Sequence, residues 1–385
     1  MSQKKKFPSN LLNQSISDKI AYFDNYKVNH PKLKEVEDLV MRSIRKPDGA
    51  SLIFVYGPTG VGKTTLRLKI EKQLIEQALP ELEKDRGKIP VVGVEAVAPE
   101  SGNFNWKDYF TRALIALEEP LIEHKINIDY NMPEIRRNSA GAILIKQSTS
   151  AAKLRQALEK ALFHRRPDIF FVDEAQHLSK MSSGQKLQNQ LDCLKSLANM
   201  SGVIHGLFGT YELLIFRNLS AQLSRRSIDI HFPRYKANNA QDLKAFKSVL
   251  LTFQRHLPLE QEPDLVSKWD YFYERSLGCV GILKDWLTRT LRDVLEEEGK
   301  TITQKHLKRR AWSVAQCTRM LQEIEEGEQQ LEETEEDVSL LRKSLGIDPE
   351  TIEETLNTPS KSKKGSRRVG QRKAKRDPIG VSQNA

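Results

Sequence analysis

The chain has 385 residues and a formal net charge of +10, enough length to bury a sizeable core in two folded units with tails, and a charge that permits an anionic partner. Three widely separated cysteines, Cys193, Cys279 and Cys317, offer neither a disulfide framework nor a zinc site. No apolar run reaches membrane-spanning length and Lys4-Lys5-Lys6 precedes no hydrophobic segment, so the expectation is a soluble, cytoplasmic chain without a secretory signal.

Residues 1–28 are polar and mixed and read as an arm. His30-Pro31 opens a helix with Leu33, Val36, Leu39, Val40 and Ile44 on its apolar side, and Asp48-Gly49 breaks it. The run Leu52-Ile53-Phe54-Val55-Tyr56 suits a buried strand. It empties into Gly57-Pro58-Thr59-Gly60-Val61-Gly62-Lys63-Thr64-Thr65, whose first eight residues match G-x-x-x-x-G-K-[ST] in full. Glycines let backbone N–H groups turn inward around phosphate oxygens, and the positive end of the next helix faces the same anion. Lys63 is expected to reach the β- and γ-phosphates of a nucleoside triphosphate, and the Thr64 hydroxyl to ligate Mg²⁺. Leu66, Ile70 and Leu74 then recur on one helical face, so the strand–loop–helix context that such a motif requires is present.

A second strand follows over 89–96, then a polar loop over 99–105 and a helix over 106–117. Residues 119–148 carry no clear period and read as an insertion or loop, after which Ser148-Thr149-Ser150 can cap a helix through Leu154, Leu158 and Leu162. The strand Ile169-Phe170-Phe171-Val172 ends in Asp173-Glu174-Ala175-Gln176-His177. An apolar strand ending in Asp-Glu is the Walker B pattern. Asp173 would help hold the magnesium shell, and Glu174 would activate a water for in-line attack. A solvated acid at a strand end is the plain alternative for Glu174, and the P-loop upstream weighs against it.

A helix with Leu187, Leu191, Leu194 and Ala198 on one face leads to the strand over 203–208, which ends at Gly209-Thr210. Thr210 can hydrogen-bond a γ-phosphate or water, or can simply begin the next cap. Arg225-Arg226 precede a strand over 227–232. Paired arginines there can complete a neighbouring subunit's site, or serve an ordinary helix end. From 238 the pattern is helical, with stripes over 243–253, 265–273, 283–291 and 302–320, the last capped by Thr303; this predicts a small lid. Residues 323–337 are dominated by glutamate and read as an exposed helix or coil. The stretch 358–385 is dense in lysine and arginine with one acid, Asp377, and cannot fold alone. It is either a solvated end or a binder of DNA phosphates or an acidic surface.

This order of motifs resembles an AAA+ ATPase. Within that superfamily the chain is similar to the TnsC/TniB family, ATPase regulators of DDE-transposase elements, CRISPR-associated ones included. The stretches that carry it are His30-Pro31, Gly57 to Thr65, Phe171-Val172-Asp173-Glu174-Ala175, Leu207-Phe208-Gly209-Thr210, Leu223-Ser224-Arg225-Arg226 and Gly278-Cys279-Val280-Gly281. The resemblance implies an α/β, P-loop NTPase core with a parallel five-stranded sheet between helices over 29–236 and a helical lid over 237–320. An acidic helical extension over 321–357 and a disordered basic tail over 358–385 follow. It makes Lys63 and Thr64 the Walker A pair, Asp173 and Glu174 the Walker B pair, and Thr210 the first sensor. Arg225 becomes the leading arginine finger, with Arg226 second. AAA+ lids commonly carry an arginine after the Gly-x-x segment that touches the γ-phosphate; here Gly281-Ile282-Leu283 stand there and Lys284, the nearest cation, becomes the expected nucleotide contact from the lid, which implies slow, regulatory turnover.

Members of that family assemble as ATP-bound rings or helices around DNA, and the matching contact positions are Lys107, Ser148, Thr149 and Ser150. Such contacts go to the backbone and are independent of sequence. Lys107 reads equally as a plain surface lysine. The implied function is ATP–Mg²⁺-gated assembly as a homo-oligomer on duplex DNA, bridging a target-selecting protein to a transposase, with hydrolysis driving disassembly. A helicase loader or replication initiator shares most of these features, and a signalling NTPase scaffold that never touches DNA is the rival from another class.

Overall fold

The computed structural model describes residues 6–100, 102–119, 136–137, 143–144, 151–180, 184–218 and 226–347. The chain divides into two units, Met1–Leu331 and Glu332–Ala385.

In the first unit, five short apolar runs become the strands β1 (Leu52–Tyr56), β2 (Val91–Glu95), β3 (Ile169–Asp173), β4 (Ile204–Gly209) and β5 (Ser227–His231). They form one sheet in the order β2-β3-β4-β1-β5, and every neighbouring pair is parallel. Side chains alternate between the two faces, so both faces of a central strand must be covered. Ile53 and Val55 enter one core with Phe171, Phe208 and Ile230, while Leu52, Phe54 and Tyr56 enter another with Phe170, Val172 and Leu207. The first face is covered by α2 (Pro31–Arg45) and α3 (Lys63–Leu82), and the second by α4 (Trp106–Ala116), α5 (Ala151–Arg165) and α6 (Gly184–Ser201). Within 119–148, Arg136–Arg137 pair antiparallel with Ile143–Leu144.

The short helix α7 (Leu214–Asn218) precedes β5. The lid is built from α8 (Ala240–His256), α9 (Trp269–Ser276), α10 (Val280–Glu296) and α11 (Gln304–Arg310). Its centre is Trp286, 1% exposed, among Phe246, Phe253, Phe272 and Leu287. The arm is part of this body. Helix α1 (Ile16–Asn25), capped by Ser15, buries Phe23 completely in the lid core, edge-on to Phe253 at 6.1 Å. The arm read over 1–28 is therefore docked on the lid through these residues.

The single helix expected over 302–320 is also corrected. Thr303 caps α11 as expected, but Ser313 and Gln316 form a second capping box that starts α12 (Val314–Gln329). That helix runs through the boundary expected at 320 and into the glutamate-rich stretch, where Ile324, Gly327 and Glu328 are buried. The Glu328 carboxylate accepts from Arg234 Nε at 3.1 Å and pairs with Lys236 Nζ at 3.2 Å, so this acid belongs to the body. In the second unit, α13 (Glu335–Ser344) is capped by Thr334 and wholly exposed. The basic stretch 358–385 lies outside the described residues. Among the described residues no helix is long and apolar enough to cross a membrane.

Candidate nucleotide site

Parallel strands bring their C-terminal ends to one edge of the sheet, which is where α/β folds place ligands. Tyr56 is in register with Gly209, and Glu95 with Asp173, so Gly57, Glu174 and Thr210 emerge side by side.

The loop Gly57–Gly62 follows from its glycines. Gly60 and Gly62 have φ of 74° and 114°, the left-handed region that side chains disfavour. Gly60 also lies against the lid: its carbonyl accepts from Gly281 N at 2.7 Å and Ile282 N at 3.3 Å, and a Cβ there would meet Ile282 Cγ1 at 2.5 Å. Helix α3 begins at Lys63 with Gly62 as its cap. Lys63 is 9% exposed, and its ammonium donates to the carbonyls of Gly57 and Pro58, both at 2.9 Å. Two of its three donors are thereby used, leaving one for an anion. Burial pushes the Lys63 ammonium down to about 8, with Glu174 and Asp173 opposing the shift. Thr64 is exposed in the first turn of α3, with Thr65 half-buried beside it, and Thr59 and Val61 complete the loop.

Asp173, 5% exposed, closes β3. Its Oδ1 accepts from Glu174 N at 3.0 Å and its Oδ2 from Arg67 Nε at 3.1 Å. Glu174 adopts φ 50° and ψ 35°, a left-handed conformation that a non-glycine residue keeps only when its surroundings impose it. Gln176 holds its side chain: Gln176 Nε2 donates to Glu174 Oε2, and Gln176 Oε1 accepts from Thr210 N at 3.2 Å. The end of β4 is thus tied to Glu174 at the end of β3. The Thr210 hydroxyl is buried with no hydrogen-bond partner, an orphan polar atom at the strand end. Beside it lies a cavity of about 840 Å³ lined by Pro58, Thr59, Thr210, Tyr211, Ile282 and Gly327 among others. Tyr211 bonds His231 Nε2 through its hydroxyl at 2.9 Å and packs beneath Gly327 of α12. Burial pushes His231 down to about 4, so it is neutral at neutral pH.

These groups fit a magnesium–nucleoside triphosphate. The glycine cradle, the spare Lys63 donor and the orphan Thr210 hydroxyl suit phosphate oxygens, and Thr64 with Asp173 suit the metal. No cluster of three or more His, Cys, Asp or Glu side chains that could hold a metal occurs among the described residues. Magnesium needs none, because it takes one or two protein ligands together with phosphate oxygens and water.

Other expected residues lie elsewhere. Arg226 immediately precedes β5, whose first residue pairs with Leu52, so it stands at the opposite edge of the sheet from the P-loop. Its side chain is 3.5 Å from Asn199 Oδ1. Lys107 is exposed in the first turn of α4, and Arg225, Ser148, Thr149 and Ser150 lie outside the described residues. Lys284 is a correction. Its ammonium donates to the Phe23 carbonyl and sits 3.5 Å above the Phe23 ring, turned to α1. The physical reason is that Phe23 lies in the last turn of α1, where carbonyls attract cations. Sequence reading passed over Arg67 and Gln176. Arg67 could have been found one helical turn after Lys63, and Gln176 two residues past Glu174.

The AAA domain family matches residues 44–214. No curated protein matches the chain. Among solved structures, the chain is similar to the ORC2 protein of Aeropyrum pernix in ADPNP–ADP complexes, at 16% identity and a TM-score of 0.49, covering 77% of this chain and 71% of that one. It is similar to a Walker-type ATPase of Pyrococcus abyssi at 16% identity and a TM-score of 0.43, covering 79% of each. For the Aeropyrum pernix ORC1 protein in complex with DNA the values are 17% and 0.45, with 78% of this chain and 68% of that one covered. The fold of this chain is that of the AAA+ P-loop NTPases.

Proposed function

We propose that this chain is an ATP-dependent regulator of DNA transposition that assembles on duplex DNA and links a target-selecting protein to the transposase. The observation that carries the reading is a division of the catalytic groups. Lys63, Thr64, Asp173, Glu174 and Thr210 meet at one edge of the sheet, while Arg226 stands at the other, five strand residues away. At the ordinary strand rise that is roughly 16 Å, too far for Arg226 to serve its own site. A second copy must bring an arginine to the first, so hydrolysis depends on assembly.

Each residue then has a task. Lys63 holds the β- and γ-phosphates with its spare donor, and Thr64 and Asp173 hold magnesium. The metal, when bound, supplies charge neutralisation at the phosphate oxygens. Glu174, held by Gln176, takes the proton of the attacking water. Thr210 offers its hydroxyl to the γ-phosphate side, and Arg226, with Arg225 beside it in the sequence, stabilises charge on the neighbour's transferring phosphoryl group. The basic stretch 358–385 and the exposed Lys107 support contact with DNA phosphates. The assignment to transposition is supported by the order of motifs in the sequence.

The test is negative-stain imaging of the full chain with duplex DNA, with and without ATP–Mg²⁺, beside Lys63→Ala. Rings or filaments on DNA that need ATP and vanish in the variant are expected. DNA-bound assemblies that form equally without ATP, or none in either state, would refute the reading.

A further inference from the structure

The loop and the two acids are the parts of this site that the sequence announces. A second layer lies behind Asp173. Arg67 stands on α3 one turn beyond Lys63, and its guanidinium bonds Asp173 Oδ2 through Nε at 3.1 Å. Its other arm bonds Glu71, one further turn along the same helix. The three side chains are 15%, 8% and 17% exposed for Arg67, Asp173 and Glu71, so this is an interior arrangement. Both Asp173 oxygens are thereby engaged, Oδ1 by the Glu174 amide and Oδ2 by Arg67. The neighbouring strand makes room for it. A Cβ on Gly93 of β2 would meet Arg67 Nη1 at 2.5 Å and would press on the Glu71 carboxylate. Glycine is disfavoured inside a strand unless something approaches closely, and here the approaching group is this ion pair.

The geometry points to Arg67 as a positioning residue for the magnesium-binding carboxylate Asp173, with Glu71 orienting Arg67 and Gly93 leaving the space for both. A monodentate metal ligand on a strand end has two free side-chain torsions. A guanidinium gripping one oxygen leaves the other oxygen's second lone pair aimed in one direction. Partners behind a metal ligand typically set affinity by about 10–100-fold. The inference rests on the proposed nucleotide site.

The experiment measures binding of mant-ATP to the full chain as magnesium is raised, which reports the metal without needing turnover. In Arg67→Gln the magnesium concentration for half-saturation should rise about tenfold, while mant-ATP affinity without magnesium stays within about twofold. Arg67→Gln with Glu71→Gln, which also removes the Glu71 charge that the single variant strands, should show the same rise with a melting temperature closer to wild type than Arg67→Gln alone. Arg67→Lys, which keeps the charge without the fork, should recover part of it. Gly93→Ala is the most telling variant, because it displaces the pair and removes no charge. It should raise the half-saturation point about threefold. Wild-type half-saturation in Gly93→Ala, or an unchanged or lower value in Arg67→Gln, would overturn the positioning role. A wild-type protein that binds mant-ATP with no response to magnesium would remove the proposed site itself, and this inference with it.

Discussion

Gly327 lies inside α12 (Val314–Gln329), where replacing glycine by alanine ordinarily adds about 1 kcal/mol of helix stability. The packing here predicts the opposite sign. An added Cβ would stand 2.6 Å from Tyr211 Cβ and closer still to the Tyr211 ring carbons Cγ and Cδ2. Those atoms are the root of the side chain and cannot swing aside as a flexible tip could. Tyr211 is also 7% exposed and tied to His231 at 2.9 Å, so turning its ring would break that bond. Overpacking of this kind costs about 1–3 kcal/mol. Set against the helical gain, Gly327→Ala should destabilise the first unit by up to about 2 kcal/mol, as much as a few degrees in melting temperature. Lifting α12 to relieve the clash would also expose Ile324 and loosen the pairing of Glu328 with Arg234. Thermal melts should compare wild type, Gly327→Ala and Glu325→Ala, an exposed position on the same helix that should shift stability by less than about 0.5 kcal/mol. Protease nicking within 314–329 should rise only in Gly327→Ala. A variant melting at or above wild type would mean that α12 does not rest on Tyr211, and the argument would fail.

Burial holds Lys63 at about 8, below its ordinary 10.5, and its charged form is the one that binds phosphate, so mant-ATP affinity should fall as pH rises through about 8, approaching tenfold per unit. For the fold the sign is reversed: the buried ammonium costs stability below about 8, and the cost is relieved between there and 10.5. Lys63→Arg should flatten the binding slope, and a flat wild-type profile from pH 7 to about 9.5 would contradict the burial argument. Thr210→Val removes a buried hydroxyl that has no partner, so stability should hold or rise by about 1 kcal/mol while ATP turnover drops about tenfold; a clear loss of stability in urea would show that the hydroxyl is bonded. Glu328→Ala strands Arg234, whose side chain is 12% exposed, and should cost about 2–3 kcal/mol in urea unfolding; a change under about 0.5 kcal/mol would place that pair among ordinary surface contacts.

The P-loop turn and the strand ending in Asp173-Glu174 were legible because their signals are local: consecutive residues set the turn, the helix start and the apolar run. Thr210 was legible as a position, but its tie to Gln176 spans 34 residues and depends on β3 and β4 being neighbours. Arg67, Glu71 and Gly93 each look ordinary alone, a surface-type ion pair and a weak strand residue. Only the pairing of β2 with β3 sets them around Asp173. The glutamate-rich stretch misled for a similar reason. Composition marks Glu328 as solvated, whereas its partner Arg234 is 94 residues away in sequence. Lys284 was the nearest cation along the chain to the lid turn, yet the arm helix claims it.

That last contact sets a timetable. Lys284 and Phe23 are separated by 261 residues, so α1 waits for one of the last lid helices before this contact can form. At ordinary synthesis rates of about 5–20 residues per second the delay is roughly 13–50 s. Through that interval Phe23 lacks its cation, and until α8 is made the apolar side of α1, Ile20 and Phe23 above all, has no native partner from the lid, so a nascent-chain binding factor has a long opportunity on α1.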